Sequence, residues 1–283
     1  MIKVNKIQYA YPQKWSGKNR PMVFWNFSLT LEENKIYGLL GKNGTGKSTL
    51  LYLLAGLNAA QKGKIFIDDD DVINRNPMTL NKIFLITEEF ELPNMSLQKF
   101  VKLNRPFYPD FSEQLLEKCL HDFQIDTIDL DYLSALSMGQ KKKVYMSFAL
   151  ATNAKYLLMD EPTNGLDIES KSLFRKVIAQ NMTDDRTLLI STHQVHDVEN
   201  IIDHILILGK DDKHQTKLLL DKSIAELSDT YVFEHRDDDQ MGNVIYSENS
   251  LQGTSVIARR TPRGTETPVN LLLLYNAVNN GKL

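Results

Sequence analysis

The chain has 283 residues, 42% of them hydrophobic and 24% charged, with a formal net charge of -3. That balance predicts a globular protein of one or two domains and excludes disordered and fibrous classes. The slight acidity argues against nucleic-acid binding, which needs a concentrated basic face, and the single cysteine, Cys119, excludes an intramolecular disulfide.

Residues 1–35 are expected to be β-rich, with "IKVNKIQYAY" and "VFWNFSLTL" flanking the loop "PQKWSGKNRP". "KIYGLLG" is a buried strand running into a glycine loop, and "KSTLLYLLAGL" is a helix. "KIFID" and "KIFLIT" are further strands, separated by the solvated turn "DDDDVINRNP". From about residue 90 to 153 the pattern turns helical: "SLQKFVKLN", "SEQLLEKCLHDF" and "KKKVYMSFALA" repeat apolar residues three and four apart. Ser96 and Ser112 suit helix N-caps. Cys119 falls on apolar helical positions, as a buried thiol would.

Strand–helix alternation then resumes through "KYLLMD", "IESKSLFRKVIAQNM", "TLLIST", "VHDVENIID" and "HILILG". Such alternation predicts a parallel sheet flanked by helices, with the helical block inserted into it. After Lys210 come short strands, "TYVFEHR", "NVIYS" and "TSVIARR", and a closing helix, "VNLLLLYNAVNN", with no chemical motif. The expected domains are therefore 1–210 and an accessory α+β region, 211–283. No apolar run approaches the ~18 residues needed to cross a bilayer, and the N-terminus lacks the apolar stretch of a signal peptide.

"GKNGTGKST" fits G-x-x-x-x-G-K-[ST] between a strand and a helix, the context this phosphate loop requires. The cradle comprises Gly41, Lys42, Asn43, Gly44, Thr45, Gly46, Lys47, Ser48 and Thr49. Its glycines allow close backbone approach, and the helix N-terminus adds positive potential. Lys47 is placed to reach the β/γ-phosphates and Ser48 to ligate Mg²⁺. "KYLLMDEP" ends an apolar strand in two carboxylates: Asp160, suited to hold Mg²⁺, and Glu161, suited to orient or deprotonate the attacking water. A strand-ending turn is the plainer reading of Asp-Glu-Pro, and it loses force beside this loop. Together these motifs specify only a P-loop NTPase core.

"LSMGQ", residues 136–140, opens the helix "KKKVYMSFALA". Ser137 can cap that helix and donate to a phosphate, and Gly139 permits close approach. The three following lysines either raise the local potential or form a solvated face. Here the chain resembles the ATP-binding subunit of ABC transporters, whose signature is usually leucine-serine-glycine-glycine-glutamine; Met138 replaces the first glycine.

The resemblance implies two ATPase subunits facing head to tail, homodimeric or paralogous. Each signature loop, here Ser137, Gly139 and Gln140, would cover the other subunit's γ-phosphate. Tyr11 resembles the aromatic residue that stacks on adenine, unless it is a hairpin core tyrosine. "NGLD" resembles the loop whose aspartate, Asp167, reaches across the dimer. "STHQ" resembles the switch, with His193 contacting the γ-phosphate and Glu161. Glu88 replaces the usual glutamine after "KIFLIT"; it can still coordinate Mg²⁺ or water, with added negative charge.

By the same resemblance the helical block touches a separate transmembrane permease subunit, at the cytoplasmic face of the membrane. "KFVKLNRPFYPDF" and the closing helix further resemble bacterial ABC-2 type exporters, a group that includes antimicrobial-peptide and phenol-soluble modulin pumps. A soluble ABC ATPase, of the iron–sulfur assembly type or a regulatory one, is the alternative. A purely ATP-sensing subunit is disfavoured by the joint presence of Glu161 and His193.

Overall fold

The computed structural model describes residues 1–12, 22–125, 130, 132–236, 243–250, 253–261 and 266–283. Of the loop expected over residues 12–21, only Pro12 lies among them.

In β1 (Ile2–Ala10) Val4, Ile7 and Tyr9 turn inward, and β2 (Met22–Leu31) pairs with it antiparallel, Ile2 opposite Leu31. β3 (Ile36–Gly41) is buried throughout, as its apolar run requires, and delivers the chain to α1 (Lys47–Leu54). β4 (Lys62–Ile67) and the short β5 (Asp70–Asp71) extend the antiparallel ribbon. A single turn, α2 (Pro77–Leu80), precedes β6 (Ile83–Ile86).

The helical block follows as α3 (Leu97–Asn104), α4 (Glu113–Asp122) and α5 (Met138–Ala151). Ser96, Ser112 and Ser137 cap these helices in turn, each accepting from a backbone N–H three residues on. Next come β7 (Tyr156–Asp160), α6 (Ile168–Gln180), β8 (Thr187–Thr192), β9 (His204–Lys210), β10 (Thr216–Ser223) and α7 (Ile224–Thr230). The chain closes with β11 (Tyr231–Arg236), β12 (Val244–Ser250), β13 (Gly253–Arg259) and α8 (Leu271–Asn279).

Ten strands form one mixed sheet in the order β5-β4-β1-β2-β10-β9-β3-β8-β7-β6. Its β9-β3-β8-β7-β6 half is parallel, with Gly38 opposite both Ile190 and Ile205. Both faces of that half are buried, and alternate residues serve different cores. Leu157, Met159, Leu188 and Ile190 join the helical block, α6 and α8, while Leu158, Leu189, Leu206 and Leu208 join α1 and the hairpin. The functional loops therefore leave a rigid platform at the C-terminal strand ends, where ligands of open α/β sheets bind.

Two stretches differ from expectation. Residues 216–223, read as part of the accessory region, form a strand in the large sheet, and only β11-β13-β12 make a separate antiparallel sheet. β10 is mostly half-exposed and carries charges along its length, so it lacks a strand's apolar alternation. "VHDVENIID" forms a 3₁₀ turn, Val195–Asp197, rather than a helix. Buried Asp197 there accepts from the Thr163 hydroxyl at 2.6 Å and pairs with Lys171 at 2.9 Å, fixing the turn to the loop after β7 and to α6. Among the described residues no helix is long and apolar enough to cross a membrane.

Candidate functional site

Gly41 ends β3, and the loop to α1 folds on itself through the Thr45 hydroxyl, which donates to the Lys42 carbonyl at 2.8 Å. Two of its glycines need the left-handed region: Gly44 at φ 80° and Gly46 at φ 97°. A Cβ on Gly46 would also meet Thr216 Oγ1 at 2.9 Å. That hydroxyl donates to the Thr45 carbonyl at 2.7 Å, so β10 supports the loop from behind. The Lys47 ammonium donates to the Gly41 carbonyl at 2.8 Å and lies 3.8 Å from Glu161 Oε1. Burial holds it below the ordinary lysine value, against the opposing pull of Glu161, Asp160 and Glu88.

The carboxylates come from the end of β7. Asp160 is buried and accepts from the Ser191 hydroxyl on β8. Glu161 is also buried, yet its backbone sits at φ 45°. A non-glycine residue in that region costs about 1–3 kcal/mol, and such strain persists where the surroundings over-determine it. Here they do. The Glu161 N–H donates to the Ser191 carbonyl at 2.9 Å, and Oε2 accepts from the Thr192 hydroxyl at 3.0 Å. Oε1 lies 2.8 Å from His193 Nδ1. One carboxylate thus meets a hydroxyl, an imidazole and an ammonium.

A cleft of about 660 Å³ is lined by Tyr11, Asn43, Gly44, Gly46, Lys47, Ser48, Thr49, Glu88, Glu161 and His193, with Val23, Asn164 and Lys210. Gly41, Lys42, Thr45 and Asp160, singled out in the same motifs, do not line it. The Tyr11 ring is exposed, T-stacked on Tyr9 at 5.2 Å, with its hydroxyl 2.7 Å from Thr49 Oγ1. Exposed Glu88 accepts from the Asn164 side-chain amide at 2.7 Å.

The signature residues Ser137, Gly139 and Gln140 do not line this cleft. Ser137 and Gln140 form a capping box: Gln140 N–H donates to Ser137 Oγ at 3.3 Å, and Ser137 N–H to Gln140 Oε1 at 2.9 Å. Asp167 caps α6 by accepting from Ser170 N–H at 2.7 Å, a bond that lowers its carboxyl pKa. Both loops leave exposed apolar neighbours, Met138 and Ile168.

Sequence reasoning did not single out Val23, Lys142, Asn164, Thr192 or Lys210. Of these Thr192, beside His193 at a strand end, and Asn164, which opens "NGLD", had a local signal. The others reach their places by tertiary packing.

The chemistry of the donors fits a nucleoside triphosphate with Mg²⁺. A left-handed glycine cradle and a buried ammonium border the cleft with the oxygen donors Ser48 and Glu88, and Asp160 lies outside its lining, buried against Ser191; such oxygen donors suit a hard cation that takes few protein ligands.

Comparison with known proteins gives a consistent result. Residues 24–164 match the family model described as ABC transporter. The lipopolysaccharide export system ATP-binding protein LptB of Haemophilus influenzae is 30% identical over 201 residues, 69% of this chain and 83% of that one. The lantibiotic transport ATP-binding protein SrtF of Streptococcus pyogenes is 29% identical over 223 residues, covering 78% and 90%. ATP-binding proteins of zinc and sugar import systems match as well. The dimeric cassette MJ0796 bound to ADP and Pi shares the fold, with a TM-score of 0.67 at 22% identity over 79% of this chain and 98% of that one.

Proposed function

The chain belongs to the ABC transporter family as one of its ATPase cassettes, and from that premise we propose that it powers a bacterial exporter of peptides or other amphipathic substrates. The observation that carries the catalytic reading is Glu161, buried, strained and held by Thr192 and His193 beside Lys47. In this reading Glu161 takes the proton of the attacking water as ATP is cleaved. His193 Nδ1 orients the carboxylate and its exposed ring faces the γ-phosphate. Lys47 meets the β- and γ-phosphates, Tyr11 stacks on the base, and the backbone of residues 41–49 cradles the chain of phosphates. Ser48, Asp160 and Glu88 would hold Mg²⁺, which when bound neutralises charge developing on the phosphates.

Ser137, Gly139, Gln140 and Asp167 lie outside their own chain's cleft, which supports their service to a second subunit's nucleotide. Such a dimer acts with a separate permease subunit at the cytoplasmic face of the membrane. The helical block carries a groove of about 900 Å³ between α3 and α4, lined by Leu97, Val101, Tyr108 and Leu116, that suits a permease segment. Export, rather than import, is supported by the LptB and SrtF relatives and by the finer resemblance of the 99–111 segment.

Two experiments test this. Glu161→Gln keeps the strained backbone and the Thr192 contact but cannot act as base. It is expected to bind ATP normally, lose about 10²–10⁴-fold in turnover, and accumulate as an ATP-bound dimer by light scattering. Undiminished turnover sinks the assignment of Glu161. Affinity purification from detergent-solubilised membranes should recover a stoichiometric multi-span protein. Recovery from the soluble fraction alone would favour the soluble ABC class instead.

A further inference from the structure

Lys142 lies on α5, two residues beyond Gln140, in the run of three lysines. It is only 5% exposed, and its flanking lysines are not buried. A buried ammonium needs hydrogen-bond partners to offset its burial. Here it points away from solvent into the loop after β7. Its Nζ donates to the Asn164 carbonyl at 2.6 Å and to the Glu161 carbonyl at 3.4 Å. Burial holds it below the ordinary lysine value, against the charges of Glu88 and Glu161.

Two further facts give these bonds a consequence. Glu161 has φ 45°, and its carbonyl also accepts from the Asn164 N–H at 3.1 Å, so Lys142 closes from α5 a turn that starts at the proposed base. Asn164 is gripped three times: by its N–H, by its carbonyl, which accepts from Lys142, and by its side-chain amide, which donates to Glu88 at 2.7 Å. One ammonium thus ties the helix that begins at the signature to the backbone of the proposed base, and through Asn164 to the Glu88 loop.

We propose that Lys142 is a positioning residue for hydrolysis: it fixes the backbone of Glu161 from the signature helix, so that movement of that helix resets the carboxylate. The proposal rests on the reading of Glu161 as the base. It predicts a defect in turnover, not in nucleotide binding, because Lys142 does not line the nucleotide cleft.

The test uses the full-length chain, with ATP turnover at saturation and the Kd of a fluorescent ATP analogue measured in parallel. Lys142→Met is expected to lower kcat about 10- to 100-fold, the scale of a small misplacement of a catalytic group. Its Kd should stay within about twofold, with one nucleotide bound per chain. Lys142→Arg, which can still donate to both carbonyls, should recover most of the loss. Wild-type kcat in Lys142→Met, or a fall in affinity that matches the fall in kcat, overturns the proposal. Glu161→Gln run alongside separates the failures: if it too hydrolyses normally, the base reading has failed, not the positioning one alone. Should Lys142→Met not fold, Lys142→Gln, which lacks the charge and most of the reach, carries the same expectation, and wild-type kcat there overturns the proposal.

Discussion

At the scale of single residues, the cleft concentrates opposed charges in a small volume. Lys47 stands between the Gly41 carbonyl and Glu161, and burial already weakens its hold on a proton. Its cost must be repaid by phosphate when nucleotide binds. Lys47→Ala should therefore weaken ATP binding itself. Hydrogen bonds to charged groups contribute about 1.5–3 kcal/mol, so a loss of roughly 10- to 150-fold in Kd is expected by isothermal titration. ADP should suffer less than ATP, since the γ-phosphate contact is absent in both forms of the protein. Equal losses for the two nucleotides would place the lysine away from the terminal phosphate. This behaviour is opposite to that expected of Glu161→Gln, where affinity survives and turnover does not. The two substitutions sit less than 4 Å apart and divide binding from chemistry.

At the scale of elements, several loops bear two duties. Ser137 caps α5 by a reciprocal pair of bonds with Gln140, and is also proposed to face a partner's phosphate. The duties separate by substitution. Ser137→Ala should cost about 1 kcal/mol of stability through the lost cap, whereas Ser137→Gly should cost only a few tenths. Both remove the hydroxyl, so both should lower turnover equally if the phosphate contact operates. Turnover that follows stability instead, high in the glycine variant and low in the alanine one, would leave Ser137 as a cap and nothing more. The same elements show what a sequence displays. β3, β7 and β8 were legible because strands buried on both faces are unbroken apolar runs, and each ends in a chemical motif. The caps Ser96 and Ser112 were legible because their bonds span three residues. α7 carries an equally local signal, the Ser223–Glu226 capping box, that went unread. Lys142 was not legible. Its partners lie 19 and 22 residues away, and nothing local distinguishes a buried lysine from its solvated neighbours. The left-handed backbone of Glu161 was hidden too: besides the turn bond from the Asn164 N–H, it is held by Ser191 on β8 and Lys142 on α5.

At the scale of the whole molecule, the region after residue 210 is joined to the ATPase core and does not simply trail from it. β10 lies between β9 and β2 and supports the phosphate loop through Thr216. α8 buries Leu271, Leu273, Leu274, Ala277 and Val278 in the same core that holds Val195, Val198 and Ile202, which directly follow the His193 switch. The helix also packs on the Val195–Asp197 turn. A cavity at Leu274, fully buried on α8, should therefore be felt at the switch. Leu274→Ala is expected to cost about 2–5 kcal/mol, lowering the melting temperature by about 2–4 °C for each kcal/mol. Because the core is continuous, the melt should remain a single transition that moves as a whole. If the closing helix instead belonged to an independent unit, calorimetry would show two transitions, with only the smaller one displaced and ATP turnover unchanged. The turnover of the folded variant, measured well below its melting point, decides the functional half. A loosened turn after His193 should lower kcat without altering ATP affinity, since none of these α8 residues lines the nucleotide cleft.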